Sequence, residues 1–135
     1  MRHYSKPVIW AGIASMFVIG AVHLLVSPHA FDDAPAKGML FIAGTLCALI
    51  AAAGIQEEQS VWGWGLGALI AVATLAGYLA NITVGLPGLP PQPEAWHEPM
   101  GRVALIAEAL MIAAAGWVLY QTYSNRWNSF RQHSA

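Results

Sequence analysis

The sequence predicts an all-α integral membrane protein, an antiparallel four-helix bundle with up-down-up-down connections. Three observations carry that prediction. Apolar residues make up 57% of the chain and charged residues only 10%, against about a quarter charged in ordinary soluble domains. So few polar groups cannot cover a water-soluble globule of 135 residues, which makes lipid the natural solvent. The apolar residues gather in four runs, each near the roughly 20 residues that cross a bilayer. The links between the runs are short or proline-rich, and short links make neighbouring helices antiparallel.

The chain is one domain, 1–135, read in order. The first span, 7–27 (PVIWAGIASMFVIGAVHLLVS), has no formal charge and one histidine, His23. Pro28 breaks the small-residue end that a cleaved signal peptide would need, so the span is read as retained. Residues 28–37 form a polar outer loop bounded by prolines. The second span, 38–55, is uninterrupted by charge, and Cys47 in its middle reads as packing. QEEQS, 56–60, is a tight acidic turn. The third span, 61–84, opens WGWGLG. Gly63 and Gly67 permit close backbone approach to another helix, and Trp62 and Trp64 read as interfacial aromatics. Residues 85–100 are the second outer loop, and five prolines in GLPGLPPQPEAWHEP favour a stiff, extended course. The fourth span, 101–123 (GRVALIAEALMIAAAGWVLYQTY), carries one carboxylate, Glu108, and a polar tail follows.

Basic residues give the orientation. The side with both termini holds Arg2, Lys6, Arg126 and Arg131, while the other holds Lys37 and Arg102. The positive-inside rule therefore puts the termini in the cytoplasm and both longer loops outside, as in a multi-pass protein of a bacterial inner membrane. The net charge of −1 offers no basic face for nucleic acid. One cysteine excludes an internal disulfide and any CxxC motif.

A carboxylate within a span is costly and normally faces a bundle interior with a partner. Counting from the outer end at 1.5 Å per residue places His23 roughly 6 Å deep and Glu108 roughly 10 Å deep. Tyr78 and Asn81 fall at roughly 5 to 9 Å, and Lys37 and Arg102 stand at the rim. Helical spacing gives each span one small-to-polar face. These faces are Gly12, Met16, Ile19, Gly20, His23 and Ser27 on the first span, and Gly67, Ala71, Thr74, Tyr78 and Asn81 on the third. Gly101, Ala104, Leu105, Glu108 and Ala115 form that of the fourth. His23 and Glu108 are therefore expected to point into one interior. The plain reading is a hydrogen-bonded lock between helices. The sharper one is a site for a proton or small ligand, made of His23, Glu108, Tyr78, Asn81, Lys37 and Arg102. Histidine changes charge near neutral pH and burial disfavours an ionised carboxylate, so the pair could share one proton.

A metal is the third reading. His29, Asp32 and Asp33 in the first outer loop, with Glu94, His97, Glu98 and Met100 in the second, supply imidazole, carboxylate and thioether groups. The imidazoles and thioether suit copper, and imidazoles with carboxylates suit zinc or iron. No spacing matches a recognised template, and the cofactor is otherwise unassigned. Haem between two histidines is disfavoured because only His23 lies in a span. GxSxG, P-loop and HExxH motifs are missing, which argues against an enzyme. The proline loop reads as a lid with Trp96 at the interface and His97 and Glu98 above the buried pair.

The segment NITVGLPGLPPQPEAWHEPMGRVALIAEAL resembles a group of small bacterial four-span proteins of unassigned function. The shared features are a TVGLP-like turn, a loop rich in proline and acid, and a glutamate on the following helix. AVHLLVSPHAF in the first hairpin is similar to their HL-x-x-x-P-x-H-F-like pattern. The resemblance implies the four-span fold and matches His23, His29 and Glu108 to the group's polar positions, without implying a reaction. Two functional classes follow. The first is a non-catalytic accessory or assembly subunit of a larger membrane complex, respiratory or photosynthetic, or a homo-oligomer. The alternative is a bundle whose outward-facing polar cavity binds a small ligand, a proton or a metal such as copper.

Overall fold

Three of the four helices begin at a proline. In the computed structural model, which describes the backbone of residues 4–57 and 61–133 and side chains as far as Trp127, these are α1 (Lys6–Asp33), α2 (Pro35–Gln56), α3 (Val61–Thr83) and α4 (Pro99–His133). Pro7, Pro35 and Pro99 stand in the first turns of α1, α2 and α4, where the missing N–H is no loss and the fixed φ suits the helix. All four helices are long and apolar enough to cross a membrane. They form an antiparallel ring in which α1 packs against α2 and α4, and α3 packs against the same two. The chain is a multi-pass membrane protein with the architecture of a four-helix bundle.

The first outer loop is shorter than expected. Residues 28–33, read as connector, continue α1 through Pro28, and α2 starts as early as Pro35. Only Ala34 is extended, at φ −165° and ψ 137°, as the residue before a proline prefers. Proline inside a helix removes the N–H that would bond the carbonyl four residues back, here that of Leu24. The Ser27 hydroxyl donates to that carbonyl at 2.8 Å, which is how a helix in lipid tolerates proline. Ser27→Ala is therefore expected to cost about 1 kcal/mol, and to cost almost nothing in a Pro28→Ala background, where the backbone bond returns. Detergent unfolding of the two single variants and the double variant would measure this; equal costs in both backgrounds would refute the repair.

The second outer loop also has structure. The Val84 and Gly85 N–H groups both donate to the Ala80 carbonyl, at 2.9 and 2.8 Å, and close α3. Leu86-Pro87-Gly88-Leu89 then turns, with the Leu89 N–H donating to the Leu86 carbonyl at 2.8 Å. Gly88 has φ +81°, so proline and glycine occupy the positions that a type II turn asks for. A 3₁₀ turn, Pro93–His97, leads into α4. The tail expected from 124 continues α4 as helix. The acidic turn falls from Glu58 to Ser60 outside the described residues, as do Arg2 and the side chain of Arg131.

The faces read as small-to-polar turn inward. Gly12, Met16, Ile19, Gly20, His23 and Ser27 on α1 are all buried. At the end of the bundle that carries the chain terminus of α1, the core centres on Trp64, which is only 1% exposed. This corrects its reading as an interfacial aromatic. Its neighbour Trp62 is half exposed, while Trp64 sits where Gly12 leaves room and meets Tyr4 edge-on at 6.3 Å. The Tyr4 hydroxyl shares a 2.9 Å hydrogen bond with Thr122 Oγ1, joining α4 to the chain just before α1. Outside, Trp10, Phe17, Leu25, Met39, Leu40, Leu69, Ile106 and Leu110 are exposed, an apolar belt of the kind that lipid covers.

Candidate functional site

The candidate site lies on the α3–α4 seam at the end of the bundle that carries the proline loop. Gly67, Ala71 and Asn81 on α3 are buried, and Thr74 and Tyr78 are partly so. Ala104, Glu108, Met111 and Ala115 are buried on α4, and Met111 meets α3 at Gly67. Glycine at 101 makes the upper contact, since a Cβ there would lie 2.9 Å from the Tyr78 hydroxyl oxygen. A smaller ring at 78 or a larger residue at 101 would open or block this approach.

The proline loop is strapped across the helix ends by its backbone. Tyr78 donates its hydroxyl to the Ala95 carbonyl at 2.9 Å, and Ala95 itself is buried. The Gln92 N–H donates to the Asn81 carbonyl at 2.8 Å. Lys37 at the start of α2 donates to Gln92 Oε1 at 3.2 Å and is paired with Asp33 at the end of α1. Arg102 donates to the His97 carbonyl at 3.0 Å. Lys37, Tyr78, Asn81 and Arg102 thus all hold the strap. Gln92 and Ala95, which sequence reasoning missed, are its other anchors, and nothing in a run of loop residues marks them.

Beneath the strap, Glu108 is 2% exposed and its Oε2 has no hydrogen-bond partner. The Thr74 side chain of α3 lies beside its carboxyl. Thr74 directs its own hydroxyl to the Ile70 carbonyl at 2.9 Å, which leaves its oxygen able to accept a hydrogen. Asn81 is 9% exposed, and its Oδ1 also lacks a partner. Buried acceptors are rarely left without a hydrogen, so two on one seam call for an explanation.

His23 is buried on a different seam. Its Nδ1 donates to the Ile19 carbonyl of its own helix at 2.9 Å. Its ring packs on Phe41 of α2 at 4.9 Å and beside Gly44. The expected meeting of His23 with Glu108 is not among the contacts described: α2 supplies the neighbours of the imidazole, and α3 those of the carboxyl. Phe41 and Gly44, the neighbours of the imidazole, both belong to α2, the helix with which α1 packs most extensively. His29, Asp32, His97, Glu98 and Met100 are exposed. Among the described residues, no three His, Cys, Asp or Glu side chains come together as metal ligands would.

Compared with known proteins, the chain matches no family model, and no curated protein or solved structure matches it significantly.

Proposed function

We propose that the protein is a non-catalytic accessory subunit of a larger membrane assembly. The observation that carries this reading is the outward face of α4. At 35 residues this helix is about 52 Å long, against a hydrocarbon core of about 30 Å. Near its far end Trp117, Tyr120 and Tyr123 recur every three residues, each more than half exposed. Tyr120 and Tyr123 also line an open groove of about 490 Å³ with Ser124, Arg126 and Trp127. Aromatic side chains with a cation beside them are the groups enriched where proteins meet. The interior supports the same reading: its polar groups tie helices and strap to one another.

Purification in mild detergent followed by mass measurement tests this. The expected result is a particle much heavier than the 14.4 kDa chain that contains other membrane polypeptides. Replacing Tyr120 and Tyr123 with alanine is expected to release the chain as a folded, lighter species. A wild-type particle containing only this chain, at any multiplicity, would overturn the accessory reading in favour of an independent bundle or a homo-oligomer.

A further inference from the structure

Glu108 is the single acid within the four spans, and no described cation reaches it: its Oε2 has no partner. Asn81, Tyr78 and Thr74 lie above it on one face of α3, at steps of three and four residues. Those steps are rises of roughly 4.5 and 6 Å along the helix. Deeper in the bundle the same seam turns apolar: Ala71 and Gly67 on α3 are buried, and Gly67 faces the Met111 side chain of α4. The file of oxygen-bearing side chains therefore begins at the strap and stops at Glu108. Its two ends, Asn81 Oδ1 and Glu108 Oε2, are the two buried side-chain acceptors without a hydrogen among the described residues.

A proton on Glu108 satisfies the lower end. The carboxyl becomes neutral and its bare oxygen becomes an O–H donor. The alternative is an ionised carboxylate with no counter-charge, which costs several kcal/mol in so dry a place. We propose that Glu108 is a proton-binding site with one entrance, at the strap end, reached through Asn81, Tyr78 and Thr74. One O–H bond forms on uptake and breaks on release, and nothing else is transferred. The titratable groups around the file are known. Tyr78 comes from α3, and Arg102 and Glu98 lie within electrostatic reach of its hydroxyl. Glu94 and His97 are exposed on the strap, and His23 on α1 is bonded to Ile19. This site stands whether or not the protein works in a complex.

The test uses the full chain, in uniform orientation in liposomes, with carbon-13 glutamate read by infrared difference spectroscopy. Stepping the strap-side pH from about 4 to about 9, a range that brackets buried carboxyls, is expected to remove a protonated-carboxyl band reversibly. A step on the other side alone should leave it. Glu108→Gln should lack the band, and Asn81→Leu should slow its response at least tenfold. A band that ignores strap-side pH throughout, answers equally from both sides, or persists in Glu108→Gln overturns the proposal. Should Glu108→Gln fail to fold, the wild type decides. A lipid-soluble carbodiimide, which attacks only protonated carboxyls, should label the Glu108 peptide at least tenfold faster at the acid end of the range. Equal or no labelling refutes the site.

Discussion

Gly63→Ala is expected to cost the bundle about 3 kcal/mol or more, the upper end for an overpacked interior, while Gly67→Ala should cost less than about 1 kcal/mol. The two glycines look alike in sequence, four residues apart on one helix. A Cβ on Gly63 would lie 2.3 Å from the backbone carbon of Gly54 and 2.5 Å from the nitrogen of Ile55. Backbone cannot step aside, so α2 and α3 would have to separate along their length. A Cβ on Gly67 would instead meet the terminal methyl of Met111 at 2.4 Å, and a thioether chain can swing to another rotamer. Unfolding midpoints of both variants in detergent would check the difference. Similar costs for the two would mean that α2 and α3 are not in backbone contact at this point.

Trp64→Ala should be the most damaging truncation, at about 3–5 kcal/mol. Moving an apolar ring from protein to lipid is nearly neutral, so hydration is not the source of the loss. It comes from dispersion contacts that have no replacement once the ring is gone. The ring fills the space over Gly12, where a Cβ would lie 2.7 Å from it, and holds the edge of Tyr4. Gly12→Leu should therefore be harmful alone and should recover much of the stability in the Trp64→Ala background. Additive losses in the double variant would show that the two positions do not share one volume.

Much of the bundle was legible because helical periodicity is a local property. The inward faces of α1, α3 and α4 could be read from the three- and four-residue spacing of glycine, alanine and the few polar residues, and those positions are buried or partly buried. Trp64 was not legible. An indole near the start of a span suits an interface as well as a core, and only Gly12, on another helix, makes room for it. The strap was half legible. Five prolines forbade a long helix there, but the strap's turn at Leu86–Leu89 came only with the structure, and its anchors depend on which carbonyls α3 and α4 present to it. Pro28 misled because its chemistry opposes a helix, whereas Ser27 one residue earlier supplies the missing donor.

The sequence by itself determined the solvent, the number of spans and the faces that α1, α3 and α4 bury. Those follow from composition, run length and a repeat of 3.6 residues, all written within single segments. Which buried groups become neighbours was decided only in three dimensions. It depends on the rotation of each helix about its axis, and that rotation is set by where glycines let two backbones close and where a ring such as Trp64 must be housed. Hence His23 faces Phe41 while Glu108 lies beside Thr74, partners that the sequence could not assign.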